Sequence, residues 1–522
     1  MSPSEIQQRG ALRLYNTRTR KVEPFGALRD DRVRMYVCGL TPSAEGHLGH
    51  ARSFMFFDVL RRYLVHLGYG VTFVQNVTDI DDRSIAAAAT SGRDWREIVE
   101  AYFQSFKRSM TRLHVLEPDH EPRATEYIGP IQSMIEELIV TGHAYAVADG
   151  VYFRVKSFSR YGALSGRNVD ELMVGARIAA DENKEDPLDF ALWKFAKPGE
   201  PSWESPWGAG RPGWHIECSA MSRALLGEPF DIHGGGYDLV FPHHENEIAQ
   251  TESLLPVPPM ANFWVHGGLL LFDNRKMSKS LGNFEPLYEL LDRHEPQAIR
   301  FLFLQTGYRK PMNFTEDSIE GATTGLQRLL AAYDALRRAP PAGQHDEAAR
   351  AALKPFAARF YAALDDDLNT AGAISVLFDL GSGASGLIQS GAASPAAAFL
   401  HEAMALLGIS PSERSHKPVI VEYDTSLVTL EGAGTMFRIA APKDAAQHLP
   451  VGTLEALRVD VGGFVALDGD VKAAVNAVIA ARQRAKLEKD FGLADRLRIA
   501  LKSIGVVVTD EKDGATWTVA GG

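Results

Sequence analysis

The sequence predicts an α/β protein: a nucleotide-binding unit near the N-terminus, then a helical middle, then a small α+β C-terminal region. The first observation is a buried strand over residues 34–38, which a turn-forming segment over 41–46 joins to a long helix. The second is a helical pattern from about 316 to 407, and the third is a helix pair and hairpin pattern after 470. A strand, loop and helix N-terminus in this order suits phosphate, because backbone N–H groups and the helix dipole favour an anion there.

Two histidines stand at the predicted helix start, in His47-Leu48-Gly49-His50. Each could donate a hydrogen bond to phosphate oxygens as negative charge develops on them. Gly49 removes a side chain, which would let a planar base lie against the backbone. The residues by themselves fit equally well a helix start with two solvated histidines. The apolar positions of the helix that follows have helical spacing: Phe54, Phe57, Leu60 and Leu64.

A second charged segment, Lys276-Met277-Ser278-Lys279-Ser280, lies about 230 residues further on. Two lysines held over a leaving pyrophosphate would neutralise charge that grows in the transition state. The alternative is an exposed basic loop. The two segments together, in this order, indicate ATP chemistry more specifically than either one alone.

Composition limits the class of protein. The 522 residues predict about two to four domains. The chain has no run of 18 apolar residues and its N-terminus lacks a signal pattern, so we expect a cytoplasmic protein without a membrane span. The net charge of −11 does not indicate nucleic-acid binding but leaves room for a local basic patch. Two cysteines make no disulfide framework.

Those two cysteines could be metal ligands. Cys38 ends the first strand, Cys218 lies far downstream, and His243 and Glu247 are spaced to share one face of a helix. Two thiolates, an imidazole and a carboxylate form a plausible zinc set. The spacing matches no zinc-finger pattern, and two buried structural cysteines are the alternative that the residues leave open.

The chain resembles the class I aminoacyl-tRNA synthetases, through the paired histidine and lysine segments, and the cysteinyl-tRNA synthetase family in particular. The likeness runs from about residue 11 to 412 and resumes over the last 50 residues. The stretches that carry it are Tyr36-Val37-Cys38-Gly39, Asn76-Val77-Thr78-Asp79-Ile80-Asp81-Asp82, 213–221, 231–239 and 241–250.

The resemblance implies a Rossmann-type catalytic domain that uses ATP with Mg²⁺ and holds one Zn²⁺, which binds the thiolate of the substrate cysteine. The implied zinc ligands are Cys38, Cys218, His243 and Glu247. The implied cysteine pocket is Gly39, Thr78, Trp214, His233 and Asp238, with Asp238 for the substrate ammonium and Trp214 as a wall. The implied catalytic and ATP-binding residues are His47, Gly49, His50, Lys276, Met277, Ser278, Lys279 and Ser280. Trp214 as ordinary core and Asp238 as a turn residue are the alternatives.

Zinc suits this substrate, since an apolar pocket cannot strongly reject serine, whereas a soft-leaning cation prefers thiolate to hydroxyl. The insertion over 118–212 is too short for a large editing domain. One departure touches the site. Where the family commonly has Thr-Val-Tyr-Asp, this chain has Thr41-Pro42-Ser43-Ala44, which removes an aromatic ring and a carboxylate near the pocket.

The same likeness divides the chain into a catalytic fold with an inserted connective domain, a helical bundle and an anticodon-binding end. The predicted bundle contains Asp365-Asp366-Asp367-Leu368-Asn369-Thr370, which is a family signature or simply a capped helix junction. Gly- and Ala-rich stretches such as 391–394 are predicted linkers. The expected segments are 1–117 (catalytic, first half), 118–212 (connective), 213–318 (catalytic, second half), 319–412 (bundle), 413–470 (a small β region of unknown role) and 471–522 (anticodon-binding).

The C-terminal helix pair is basic, with eight Lys or Arg against three acids over residues 471–505. That excess suits an RNA backbone, although a solvated helix pair is the alternative. The resemblance implies a protein that acts on tRNA(Cys), L-cysteine and ATP, and we expect a monomer. Two other functions stay open: a ligase that joins cysteine to a small amine, as in mycothiol synthesis, and a non-catalytic tRNA-binding paralogue. The long C-terminal part favours tRNA over an amine, and the intact signatures argue against the paralogue.

Overall fold

The computed structural model describes residues 11–167, 183–272, 275–276, 285–340, 346–411, 429–432, 435–438, 506–511 and 514–519. The chain forms two compact units, 1–418 and 419–522. The strands are β1 (Arg13–Asn16), β2 (Lys21–Pro24), β3 (Arg32–Leu40), β4 (Gly70–Val77), β5 (Ala144–Val147), β6 (Gly150–Phe153), β7 (Phe190–Phe195), β8 (Gly210–Pro212), β9 (Phe230–Gly236), β10 (Ala261–Gly267), β11 (Leu270–Phe272), β12 (Arg275–Lys276), β13 (Met312–Phe314), β14 (Thr429–Gly432), β15 (Thr435–Arg438), β16 (Val506–Glu511) and β17 (Gly514–Val519). The helices are α1 (Leu48–His66), α2 (Asp82–Ser91), α3 (Trp95–Arg112), α4 (Ile128–Val140), α5 (Trp214–Leu226), α6 (Glu245–Glu252), α7 (Leu287–Arg293), α8 (Pro296–Leu304), α9 (Glu316–Arg338), α10 (Asp346–Asp365), α11 (Thr370–Ser382), α12 (Ala384–Gln389) and α13 (Ala393–Leu406).

The core of the first unit contains a parallel sheet in the order β10-β9-β3-β4. Side chains of β3 alternate between its two faces. Met35 and Val37 join one apolar cluster, whereas Tyr36 and Cys38 join another. Burial on both faces is typical of parallel sheets covered by helices. The strand and helix predicted at the N-terminus are therefore confirmed as β3 and α1.

The predicted connective segment contains an antiparallel sheet in the order β5-β6-β7-β8, with α4 beside it in sequence. Its apolar residues, including Phe153 and Trp193, share a cluster with Cys218 of α5. The insertion therefore packs against the side of the core that carries the cysteines.

The predicted helical middle is confirmed as α9 to α13. Thr315 caps α9, and Glu316 and Asp317 lie in its first turn, where carboxylates are favoured by the helix dipole. At the junction after α10, the Asn369 side chain caps α11, and Asp367 accepts a hydrogen bond from the Tyr15 backbone N–H. The linker prediction over 391–394 is wrong in its second half because α13 begins at Ala393, and alanine favours helix strongly.

In the second unit, β14 pairs with β15 and β16 with β17, both antiparallel. The hairpin predicted at the C-terminus is confirmed, since Val508 lies opposite Trp517. Of the small β region predicted over 413–470, the structure describes the antiparallel pair β14 and β15, and the other residues of that region lie outside the described ones. The predicted basic helix pair also lies outside them.

Candidate active site at the switch point of the parallel sheet

The order of the parallel strands creates a crevice between β3 and β9. The chain proceeds from β3 outward to β4, then returns to add β9 and β10 on the other side. In open α/β sheets, ligands bind at this reversal, outside the carboxyl ends of the strands. Cys38 lies near that end of β3 and His233 lies on β9, with Tyr36 as its cross-strand neighbour. A short loop carries the chain from β3 to His47.

The two signature histidines cap α1. The Nδ1 atom of His47 accepts a hydrogen bond from the Gly49 N–H at 3.0 Å, and the Nδ1 atom of His50 accepts from the His47 N–H at 3.3 Å. The rings stack with centroids 3.8 Å apart. Because each Nδ1 accepts, each ring carries its proton on Nε2, so both rings have an N–H to donate. Burial lowers the pKa of both imidazoles, which keeps them neutral at pH 7.

The structure explains why position 49 is a glycine. A β-carbon there would lie 2.8 Å from Cε1 of the His47 ring, so a larger residue would displace the capping imidazole. Of the lysine segment, the backbone of Lys276 belongs to β12, which pairs with β11 through Leu271. Met277, Ser278, Lys279 and Ser280 lie outside the described residues.

The four proposed metal ligands converge. The donor atoms of Cys38, Cys218, His243 and Glu247 all lie within 4.8 Å of one another, and all four residues are buried. The Sγ atoms are 3.7 Å apart, Cys38 Sγ lies 3.5 Å from Glu247 Oε1, and His243 Nε2 lies 3.1 Å from the same oxygen. A tetrahedral zinc ion, with bonds of about 2.3 Å to sulfur and about 2.0 Å to nitrogen or oxygen, would separate these pairs by about 3.8, 3.5 and 3.3 Å.

Burial at this cluster disfavours thiolates unless a cation binds beside them. Burial raises the pKa of the Cys38 thiol well above its ordinary range, and burial likewise raises that of Cys218. Two thiolates beside the Glu247 carboxylate would be unstable there without a positive partner. Burial lowers the pKa of His243 well below its ordinary value, so its imidazole is neutral and suited to bind a metal.

A second combination of donors overlaps the first: Cys38, His233, His244 and Glu247. In it, His233 Nε2 lies 2.8 Å from Glu247 Oε2, and His244 Nδ1 lies 2.7 Å from His266 Nε2. The two combinations share Cys38 and Glu247, and the first is the set that the sequence predicts.

The comparisons with known proteins agree with this geometry. The family model described as the class I (C) catalytic domain of tRNA synthetases matches residues 24–324, a DALR domain matches 359–410, and a cysteinyl-tRNA ligase anticodon-binding domain matches 468–517. The cysteine–tRNA ligase of Stutzerimonas stutzeri is 44% identical over 98% of this chain and all of its own length. That of Solidesulfovibrio magneticus is 43% identical, again over 98% of this chain and all of its own.

The chain belongs to the cysteine–tRNA ligase family. Among solved structures, methionyl-tRNA synthetase of Mycobacterium tuberculosis with methionyl-adenylate matches at a TM-score of 0.56 and 15% identity. That match covers 75% of this chain and 96% of the other. At this identity it shows the fold alone, which is that of a class I synthetase.

Of the residues that the cysteine–tRNA ligase resemblance assigned to the amino-acid pocket, Trp214 and His233 contact proposed metal ligands. The reading of Trp214 as core is wrong, since it is 38% exposed and stacks on the His243 ring with centroids 4.4 Å apart. Asp238 is exposed in a short turn. Burial lowers the pKa of His47, and the charge of Asp238 partly offsets that effect. Thr78 is buried, and its hydroxyl accepts a hydrogen bond from the Asn76 amide at 3.3 Å.

The close approach of two chain segments explains Gly39. A β-carbon at this position would lie 1.6 Å from the Asn76 carbonyl oxygen, and the Gly39 N–H donates to Asn76 Oδ1 at 2.9 Å. Next to it, the loop that departs from the family pattern holds a local turn, with the Ser43 N–H donating to the Thr41 carbonyl at 2.8 Å.

Sequence reasoning missed the histidines that support the ligands. His244 Nε2 lies 3.2 Å from Cys38 Sγ, and His266 continues the chain of contacts to the Thr17 hydroxyl at 2.8 Å. His215 Nδ1 lies 3.0 Å from His243 Nδ1. The sequence offered one signal for this, since His215 directly follows Trp214 and His244 directly follows His243.

Proposed function

We propose that the protein ligates L-cysteine to tRNA(Cys) with ATP, through a cysteinyl-adenylate, and that Zn²⁺ selects the substrate thiolate. The observation that carries this proposal is the convergence of two buried cysteines, a histidine and a glutamate at the sheet's switch point. Family membership supports the overall activity, and the donor geometry supports the metal.

Cys38, Cys218, His243 and Glu247 would hold one Zn²⁺ per chain. The bound ion would supply a site that favours a thiolate over the hydroxyl of serine. Trp214 and Thr78 would close the pocket around the β-carbon, and Asp238 would pair with the substrate ammonium. His233 would keep Glu247 oriented, as its contact at 2.8 Å indicates.

In the activation step, a carboxylate oxygen of cysteine would attack the α-phosphorus of ATP. A new P–O bond would form as the bond from the α-phosphorus to the oxygen bridging to the β-phosphate breaks, and pyrophosphate would leave with that oxygen. His47 and His50 would donate from Nε2 to phosphate oxygens whose charge grows in the transition state. Because both rings are neutral and fixed by capping, they need little reorganisation when ATP binds. Lys276 and Lys279 would neutralise the leaving group, together with the neighbouring positions Met277, Ser278 and Ser280.

The anticodon-binding match over 468–517 favours tRNA over a small amine as the acceptor. Within the proposed domain division, the catalytic halves 1–117 and 213–318 would activate cysteine, and 471–522 would bind the anticodon region. None of the helices in the described part of the chain combines the length and apolar composition that a membrane crossing requires. We propose a cytoplasmic monomer.

Purified protein, incubated with ATP, labelled cysteine and either bulk tRNA or glucosaminyl-inositol, tests the acceptor. We expect cysteinylated tRNA and an unmodified amine. A cysteinylated amine with uncharged tRNA would support the mycothiol type of ligase. If no adenylate forms with either acceptor, the result would support a non-catalytic paralogue. Serine in place of cysteine is the matched control for metal selection.

A further inference from the structure

Arg52 is a buried cation held by backbone carbonyls. It lies on α1 two residues after His50 and is 6% exposed. Its Nη1 donates to the carbonyls of Gly268 at 3.1 Å and Leu269 at 2.8 Å, and its Nη2 donates to that of Lys310 at 2.6 Å. Burial lowers its pKa to about 10. In the part of the chain described, it has no carboxylate partner, so its charge is balanced by carbonyl dipoles alone.

The two arms of this guanidinium hold two different chain segments. Residues 268–269 connect β10 to β11, and residues 307–310 connect α8 to β13. Both segments enter the small sheet β12-β11-β13 from the same end. They also bind each other, because the Gly268 N–H donates to the Tyr308 carbonyl at 2.7 Å and the Met312 N–H to the Leu269 carbonyl at 3.0 Å. The hydrogen bonds of Arg52 therefore connect α1 to the end of this sheet at which β11 and β13 begin.

That sheet carries Lys276. Its strand β12 pairs with β11, where Lys276 lies opposite Leu271. Strand β11 begins directly after Leu269, whose carbonyl accepts a hydrogen bond from Arg52. Under the proposed function, the histidines at the start of α1 and the lysine on β12 would act on the same ATP molecule, although they lie far apart in sequence. The two segments approach each other closely at Gly268, where a β-carbon would come 2.5 Å from the Arg309 carbonyl oxygen.

We propose that Arg52 is a positioning residue for adenylate formation, which sets the strand of Lys276 at a fixed place relative to His47 and His50. This inference rests on the proposed function. Lysine cannot replace Arg52, because a single ammonium cannot reach both segments as the planar fork does. Misplacement of a catalytic group by about 1 Å can slow a reaction about 100-fold, so a small shift of this sheet would be visible in kcat.

The first experiment compares Arg52→Lys with Arg62→Lys in cysteine-dependent ATP–pyrophosphate exchange. Arg62 lies on the same helix and also binds a carbonyl, that of His114 at 2.8 Å, but it does not touch the sheet of Lys276. We expect Arg52→Lys to lower kcat about 100-fold while the KM for cysteine changes less than about 2-fold and one zinc stays bound. Arg62→Lys should stay within about 3-fold of the unaltered protein. An unchanged kcat in Arg52→Lys would overturn the inference.

The second experiment separates positioning from general support by a double-mutant cycle with Lys276→Ala. If Arg52 acts through Lys276, the double variant should be no more than about 3-fold slower than Lys276→Ala alone. If the loss of kcat in the double variant equals the product of the losses in the two single variants, the inference is overturned. If Arg52→Lys fails to bind cysteine, Arg52→Gln goes through the same cycle. Absence of exchange in the unaltered protein would overturn the proposed function as well, whereas failure of the cycle in an active protein overturns this inference alone.

Discussion

Replacing Cys218 with serine tests the metal centre at one of its buried ligands. Cys218 is 1% exposed, and its Sγ lies 3.7 Å from that of Cys38. Serine is nearly isosteric, so the packing of α5 should survive while one of two thiolates is lost. Removing a group that merely orients a metal ligand costs about 10- to 100-fold in affinity. Loss of a ligand itself should therefore weaken zinc binding at least about 100-fold, which is about 2.7 kcal/mol.

The assay is a zinc titration against a competing chelator, followed by cysteine-dependent ATP–pyrophosphate exchange at limiting zinc. We expect the Cys218→Ser protein to lose both metal and exchange as the chelator concentration rises, well before the unaltered protein does. Ser222→Ala is the matched control, because Ser222 is buried on the same helix and its hydroxyl donates to the Ser219 carbonyl rather than to the cluster. Zinc affinity of Cys218→Ser within about 3-fold of the unaltered protein would refute the proposed ligand set.

Three further predictions follow from other parts of the chain. His50→Ala should slow exchange about 100-fold and leave cysteine binding unchanged, whereas His66→Ala, at the far end of the same helix, should leave both unchanged. Glu228→Gln should raise the melting temperature at pH 8.5 but not at pH 4, because burial raises the Glu228 pKa to about 7 and outweighs Arg223, 3.9 Å away. Removing 471–522 should preserve exchange and abolish salt-sensitive tRNA charging.

The sign of the Glu228 effect follows from its folded-state pKa, which lies above the unfolded value of about 4.3. Ionisation then destabilises the folded protein increasingly as the pH rises from about 4.3 to 7, and the full penalty is present above pH 7. A larger gain for Glu228→Gln at pH 4 than at pH 8.5, measured by thermal unfolding, would contradict this. For the other two predictions, the contrary results are normal exchange in His50→Ala and normal charging by the truncated protein.

The sequence could predict the parts of the site that depend on local pattern. The pattern of a buried strand, a turn and an amphipathic helix lies within consecutive residues, so β3 and α1 could be predicted from periodicity. His47 and His50 could be predicted as site residues from their place at the helix start. Convergence of Cys38 with Cys218 could not follow from spacing alone. It depends on which strands become neighbours, and only the resemblance to a family supplied that information.

The remaining features depend on three-dimensional packing that no short pattern records. The sequence around Trp214 fits a core position equally well, but in the structure the side chain is 38% exposed and stacks on His243. In the sequence, Arg52 has the pattern of a surface arginine on an amphipathic helix. Its four carbonyl partners, among them Gly307 at 3.4 Å, are evident only in the structure. The His244–His266 contact joins positions on different elements, which is why it was missed.

The most direct test of the account is X-ray absorption at the zinc edge, with and without L-cysteine. The proposal places two sulfur ligands, Cys38 and Cys218, on the metal of the free protein. Saturating cysteine should raise the sulfur count to three, and saturating serine should leave it at two. A count that stays at two with cysteine would contradict selection of the substrate by direct thiolate binding, whatever the rate at which tRNA is charged.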